Sequence, residues 1–137
     1  MRDGAWDDEG MRREISPNGI APPAANYAHA VLSTEATRWL HTSGVVPVAP
    51  DGSVPADIAD QAAVMWANVG AMLDDAGLEP ADVVSVTTYA VAGEDLGPVM
   101  AARDAFLQGA LAASTLVTVP ALARPEWLVE VAVIAAR

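Results

Sequence analysis

Glu130 is the residue whose surroundings most suggest chemistry, because it interrupts a strand that is otherwise apolar. Alternation along the strand places four side chains on one face and three valines on the other, namely Leu128, Glu130, Ala132 and Ile134 against Val129, Val131 and Val133. A buried carboxylate is costly without a partner or a wet cleft. We therefore consider Glu130 a candidate general acid/base, with a solvent-facing strand or a subunit-interface contact as the simpler alternative.

Other polar side chains stand at the ends of predicted strands. Tyr27 follows a proline-rich loop, where its phenol could reach a cleft, and His29 shares its strand face. His41 precedes Thr42-Ser43-Gly44, whose hydroxyls and backbone N–H groups could bind an anion or a carbonyl. The simpler alternatives are an aromatic anchor for Tyr27, a half-exposed polar histidine, and an ordinary strand exit after His41.

The composition excludes several kinds of chemistry. The 137 residues include seven Arg, no Lys and no Cys, with a formal net charge of −11. A lysine Schiff base, a P-loop and thiolate chemistry are thereby excluded, and without a basic stripe we expect no binding to nucleic acid or anionic membranes. The two histidines and scattered acids have no metal-ligand spacing, so we expect no metal site. No apolar run is long enough to span a bilayer and the N-terminus does not resemble a signal peptide, so we expect a cytoplasmic protein.

The elements that must position these residues follow from periodicity and breakers. We predict strands at 27–33 and 38–43 joined as a hairpin, and further strands at 83–91, 114–119 and 127–135. We predict helices at 57–76 and 96–107. The first helix carries an apolar stripe and ends at Gly77; the stripe comprises Ile58, Ala62, Met65, Val69, Met72 and Leu73.

This order, β-β-α-β-α-β-β, predicts an α+β fold with one mixed sheet and two helices on one face. Residues 1–15 are polar and aperiodic and are interpreted as a flexible N-terminal tail, followed by a single domain at 16–137. The last strand is apolar on both sides. We therefore expect self-association to cover the second sheet face.

Several motifs together resemble the RidA (YjgF) family over residues 16–137. They are Tyr27 at the first strand, Thr42-Ser43-Gly44 followed by V-V-P, the stretch V-P-A-D-I-A-D-Q-A, and the closing S-T-L-V-T-V-P-A-L-A-R-P-E-W-L-V-E-V. The resemblance implies a chorismate-mutase-like fold and a homotrimer with ligand clefts between subunits. It also implies hydrolysis of reactive enamines and imines without metal or cofactor. In the family an Arg clamps the substrate carboxylate, a Glu positions water, and a Tyr and a Ser-Gly pair bind substrate.

The resemblance maps the tyrosine onto Tyr27, the Ser-Gly pair onto Ser43 and Gly44, and the glutamate onto Glu130. Two positions depart from the pattern: Ala113 stands where the Arg is expected, and Met100 where an Asn lines the cleft. We count His29, Met100, Ala113 and Thr115 as further substrate-binding positions. Loss of a bidentate Arg–carboxylate contact disfavours an anionic substrate. Arg103 or Arg124 could compensate from another direction.

Three functions follow for a small-molecule substrate. The first is a divergent RidA-like enzyme that acts on a reactive carbonyl, imine or enamine by general acid/base chemistry, in a specialised biosynthetic pathway. The second is a 2-iminobutanoate/2-iminopropanoate deaminase, which Tyr27 and Glu130 favour and Ala113 opposes. The third is a non-catalytic trimeric module that binds a metabolite or a protein. Chorismate mutase activity is disfavoured because a dianionic substrate demands arginines that the cleft lacks.

Overall fold

The computed structural model describes residues 12–137, which form six strands, two α-helices and one short 3₁₀ turn at Pro80–Asp82. The elements are β1 (Arg12–Ile15), β2 (Ala30–Ser33), β3 (Trp39–His41), α1 (Ile58–Ala76), β4 (Val83–Val91), α2 (Gly97–Leu107), β5 (Ala113–Val119) and β6 (Val129–Ala136). None of the helices in this part of the chain is long and apolar enough to span a bilayer.

Four strands form the main sheet in the order β3-β6-β4-β5. The sheet is mixed, because β4 pairs in parallel with β5 while β6 runs antiparallel to both β4 and β3. The parallel pair is joined through α2, as a crossover connection requires. A parallel bridge from Ala28 to Ala113 continues the sheet beyond β5.

Both helices pack on the same face of this sheet, as the sequence predicts. Helix α1 begins after Asp57, whose carboxylate accepts a hydrogen bond from the Asp60 N–H, and ends at Gly77, which has a φ of 70°. The core joins the buried stripe of α1 to alternate residues of β4 and β6. Met72 is the exception in the predicted stripe, because its side chain is 40% exposed.

The predicted N-terminal hairpin is wrong. Strand β2 pairs antiparallel with β1, whereas β3 pairs with β6 at the edge of the main sheet. The predicted tail boundary at residue 15 is also wrong, because Arg12–Ile15 form β1. Arg12 anchors this strand by donating hydrogen bonds to the carbonyls of Ala81, Val83 and Leu111, a long-range contact that no local pattern announces. The rest of the predicted tail, residues 1–11, lies outside the described residues.

The sheet face away from the helices is here called the open face. Its side chains alternate with the core residues and are all half-buried or exposed. They comprise Ser85, Thr87 and Tyr89 on β4, Glu130, Ala132 and Ile134 on β6, and Thr115 and Val117 on β5. Nothing in the described part of the chain therefore buries this face, which agrees with the expectation that another copy covers it.

Candidate active site

Glu130 lies on the open face of β6, where it is half-buried. Its cross-strand partner on β4 is Tyr89, and Val117 lies opposite Tyr89 on β5. Within residues 12–137 the Glu130 carboxylate has no ion pair and no hydrogen-bond partner. The structure thus presents an unneutralised carboxylate on a surface that a ligand could approach.

The chain after β3 brings Ser43 and Gly44 to the other side of Glu130. The N–H of Thr42 donates to the Val133 carbonyl at 3.0 Å, and Val45 and Val131 exchange two backbone hydrogen bonds. The Thr42 hydroxyl also accepts from the Val133 N–H at 2.9 Å. The segment is therefore held along β6 by its backbone, next to Glu130.

Gly44 touches the Glu130 side chain so closely that a larger residue would have to displace that side chain. A Cβ atom built on Gly44 would lie 2.7 Å from Cδ of Glu130 and 3.2 Å from Cγ, and closer still to the carboxylate oxygen Oε2. The need for glycine here is steric, from close approach. Ser43, Gly44 and Glu130 therefore form one group, which we call the glutamate edge.

A residue that sequence reasoning missed anchors this edge. The buried Gln61 of α1 donates from Nε2 to the carbonyls of Pro55 and Glu126, and its Oε1 accepts from the Leu128 N–H, each at 2.8 Å. Gln61 thereby ties the start of β6 to α1 two residues before Glu130. The signal available in the sequence was a glutamine inside an apolar helical stripe.

A shallow groove of about 470 Å³ lies beside the glutamate edge, between the chain after β3 and α1. Gly44 is part of its wall, and Asn68 closes it by donating to the carbonyls of Val46 and Val48. Most of the remaining lining is apolar, and it comprises Val45, Val46, Val48, Ala71 and Met72, with Asp75 at the rim. Glu130 does not line this groove, whose second wall is α1 on the helix side of the sheet.

The other predicted site residues lie at the opposite edge of the sheet, which we call the tyrosine edge. Ala28 bridges to Ala113, so Tyr27 and His29 flank the start of β5. The Tyr27 hydroxyl accepts a hydrogen bond from the Ala24 N–H at 3.1 Å, and His29 Nε2 lies 2.7 Å from the Ala21 carbonyl. Both side chains are therefore engaged with their own loop.

A buried arginine lies under the tyrosine edge. Arg103 of α2 is 6% exposed, pairs with Asp104 at 3.1 Å and donates to the Ser114 hydroxyl at 3.2 Å. Asn26 donates to the second carboxylate oxygen of Asp104 at 3.0 Å, which ties the Tyr27 loop to α2. The network is one that the sequence does not reveal, because its four members come from three separate segments.

This arginine does not stand in for the one expected at position 113. Neighbouring residues of a strand point to opposite faces, so Ser114 meets Arg103 on the helix side while Ala113 and Thr115 belong to the open face. Met100, which stands where the resemblance expects an Asn, lies one turn before Arg103 on α2 and is half-buried. The guanidinium of Arg124 is 5.7 Å from the Trp127 ring centroid. We conclude that Arg103 is not placed in this chain as a carboxylate clamp.

The two edges do not meet within one chain. Glu130 is on β6, while Tyr27 lies beyond β5, three strand spacings or about 14 Å away across the sheet, with a further offset of several residues along the strands. The structure therefore joins Ser43 and Gly44 to Glu130, and Tyr27 and His29 to Ala113, but it separates the two groups. Among residues 12–137 no three His, Asp or Glu side chains cluster closely enough to hold a metal ion.

Comparison with known proteins agrees with this architecture. The family model described as Endoribonuclease L-PSP matches residues 19–137. A RutC family protein of Haemophilus influenzae is 41% identical over 72% of this chain and 71% of its own length. The 2-iminobutanoate/2-iminopropanoate deaminase of Escherichia coli is 36% identical over 68% of each chain.

A solved structure of similar fold is the conserved Rid family protein YyfB of Yersinia pestis, described as of unknown function. It superposes with a TM-score of 0.83 at 35% identity, covering 92% of this chain and 98% of that one. The matched range includes both edges of the candidate site and every strand of the main sheet. The chain therefore belongs to the RidA (YjgF) family, the family that the matching model describes as Endoribonuclease L-PSP.

Proposed function

We propose that the protein is a divergent RidA-like enzyme that hydrolyses a reactive imine or enamine lacking a carboxylate, with Glu130 as the general acid/base. Family membership supports a role resembling that of a reactive-intermediate deaminase, because the matched E. coli relative is named a 2-iminobutanoate/2-iminopropanoate deaminase. The observation that supports a substrate without a carboxylate is the position of the charges. Glu130 has no cation among the described residues, and the buried Arg103 is already neutralised by Asp104.

The chemistry needs only one carboxylate that accepts and returns protons. Glu130 takes a proton from water as the water oxygen bonds to the imine carbon, and the C=N π electrons move to nitrogen, which receives that proton from the carboxyl. A second transfer, from the new hydroxyl to nitrogen, breaks the C–N bond and releases an amine or ammonia and a carbonyl compound. Such proton transfer by a placed carboxylate contributes roughly 10²- to 10⁴-fold to the rate.

An uncharged substrate suits this site better than an amino-acid-derived one. An anion beside Glu130 would meet a like charge without the guanidinium that offsets it, and a desolvated charge pair that loses its partner costs roughly 2–5 kcal/mol. The net charge of −11 speaks against RNA as substrate, despite the description of the family model.

We further propose that the active form is a homotrimer whose clefts bring the glutamate edge of one copy to the tyrosine edge of the next. The separation of the edges in one chain supports this, as does the uncovered open face with Val117 40% exposed. Sedimentation tests it with Val117→Glu, which places a charge on that face, against Thr118→Glu, its exposed neighbour on the opposite face. We expect dissociation and loss of turnover for the first variant only. If the wild-type protein is a monomer, no cleft between copies exists and the proposed trimer is wrong.

The substrate class is tested with a matched pair of imines. Serine dehydratase supplies 2-aminoacrylate, which bears a carboxylate, and an amine oxidase supplies an alkyl imine, which does not. We expect the protein to accelerate hydrolysis of the alkyl imine at least tenfold over the Glu130→Gln variant, with little effect on 2-aminoacrylate. Rapid hydrolysis of 2-aminoacrylate that Glu130→Gln abolishes would instead assign the 2-iminobutanoate/2-iminopropanoate deaminase activity. Ligand binding by calorimetry without turnover of either would favour a non-catalytic binding module.

A further inference from the structure

The central strand β4 presents a row of hydroxyls to the open face. Its three outward side chains there are Ser85, Thr87 and Tyr89, while the intervening Val86 and Thr88 are buried against the helices. Tyr89 is the largest of the three and is half-buried. The chain has only two tyrosines, so each phenol can be examined separately.

Tyr89, and not Tyr27, is the phenol beside Glu130. Tyr89 and Glu130 are direct cross-strand partners. The N–H of Val91 donates to the Leu128 carbonyl at 2.9 Å, and hydrogen-bonded pairs recur at every second residue of an antiparallel ladder. Tyr89 and Glu130 therefore form such a pair, with Cα atoms about 5.5 Å apart and side chains on the same face. Gly44 bounds the carboxylate on one side and Tyr89 stands on the other.

The two phenols also differ in their hydrogen bonds. The Tyr27 hydroxyl accepts from the Ala24 N–H, whereas the Tyr89 hydroxyl has no hydrogen bond with any residue of the described range 12–137. Glu130 has none in that range either. A phenol and a carboxylate that are removed from water together each need a partner, and a cross-strand donor and acceptor satisfy one another at least cost.

We propose that Tyr89 is a positioning residue for Glu130, whose phenol O–H donates a hydrogen bond to the Glu130 carboxylate once the open face is covered. This inference rests on the proposed function, in which Glu130 moves the protons. The hydrogen bond fixes the carboxylate between Gly44 and Tyr89, so that one oxygen faces the substrate cleft. Tyr89 acts through Glu130 and does not itself need to touch the substrate.

The kinetic test is Tyr89→Phe, which removes one hydroxyl and keeps the ring. A hydrogen bond to a charged group is strong enough for a tenfold effect, so we expect kcat on the alkyl imine to fall about tenfold while KM stays within twofold. Thr88→Val is the matched control, because it removes a hydroxyl from the opposite face of the same strand. We expect its kcat to be unchanged. Normal kcat in Tyr89→Phe, with turnover still abolished by Glu130→Gln, would overturn the role of Tyr89 and leave the proposed function standing.

A second measurement does not need turnover. In protein labelled with ¹³C at the glutamate side-chain carboxyls, Glu130→Gln identifies the Glu130 resonance by its disappearance. At a fixed pH we expect Tyr89→Phe to move that resonance and Thr88→Val to leave it in place. An unmoved resonance in Tyr89→Phe would overturn the inference even if no substrate were turned over. A moved resonance without any turnover would support the pairing while the proposed function failed.

Discussion

The glutamate edge and the tyrosine edge of the sheet use polar groups in opposite ways. At the glutamate edge the backbone and the buried amide of Gln61 hold the elements in place, and the one charged side chain is left without a partner in the described residues. At the tyrosine edge the charged pair Arg103–Asp104 is itself part of the framework and binds Asn26 and Ser114. Among the described residues, only the first edge therefore has a charged side chain without a partner.

The difference shows that the number of charges near a site does not reveal which of them can act. Arg103 is close to the position of the missing clamp in sequence and in space, yet it lies on the helix side of β5 and its charge is neutralised. Glu130, by contrast, belongs to no such network among the described residues. Variants that weaken one edge while sparing the other test this difference between the two edges.

The largest effect is expected for Gln61→Leu at the glutamate edge. The change leaves the carbonyls of Pro55 and Glu126 and the Leu128 N–H without their partner, at about 1 kcal/mol for each hydrogen bond and thus about 3 kcal/mol in all. Urea unfolding at one protein concentration measures the loss. The same substitution at the exposed Gln108 should change the free energy of unfolding by less than about 0.5 kcal/mol. A loss below about 1 kcal/mol for Gln61→Leu would contradict the anchoring role.

At the tyrosine edge, Asp104→Ala should cost about 2 kcal/mol of unfolding free energy, because it leaves the Arg103 guanidinium buried without its counter-charge. The figure is below the range for fully buried pairs since the Asp104 side chain is 36% exposed. Arg103→Met removes the buried charge instead and should cost less. If Arg103→Met proves the more damaging of the two in the same unfolding assay, the pair is not the framework element described above.

Gly44→Ala should separate activity from stability at the glutamate edge. The added methyl displaces the end of the Glu130 side chain, which is flexible, so we expect turnover of the alkyl imine to fall about tenfold. The unfolding free energy should change by less than about 1 kcal/mol. Gly70→Ala is the control. Gly70 lies inside α1, and a Cβ atom there would meet Phe106 of α2 at 3.5 Å, an ordinary contact distance. The unfolding free energy of that variant should rise by roughly 0.5–1 kcal/mol, and its turnover should be unchanged. Equal turnover in both variants would argue against the Gly44 contact.

The smallest effect is expected for Ala113→Arg, which returns a cation to the open face at the tyrosine edge. We expect kcat/KM for 2-aminoacrylate to rise about fivefold, or about 1 kcal/mol, because one clamp residue supplies part of a carboxylate site. Steady-state kinetics with both imines measures the change, and Ala121→Arg in the exposed loop after β5 is the control. A rise for the alkyl imine as well would show that the new charge acts on something other than the carboxylate.

Local pattern predicted the helices and the central strands well. Helix α1 and strand β4 occupy the predicted ranges within one residue, because an apolar stripe with caps and a β-branched run are signals carried by neighbours in sequence. The partner of β2 could not be predicted in this way. Strands β1 and β2 are separated by a proline-rich loop, and the anchoring contacts of Arg12 reach residues about 70 to 100 positions away.

The sequence by itself determined which side chains could act: an acid in an apolar strand, a Ser-Gly pair after β3, and an alanine where a cation was expected. The tertiary structure decided how they are grouped. It set Gly44 against Glu130, placed Tyr89 opposite that carboxylate, and moved Tyr27 to the far edge of the sheet. The physical reason is that spacing along the chain fixes the face on which a residue lies, whereas strand order and register, which depend on long-range pairing, fix its neighbours.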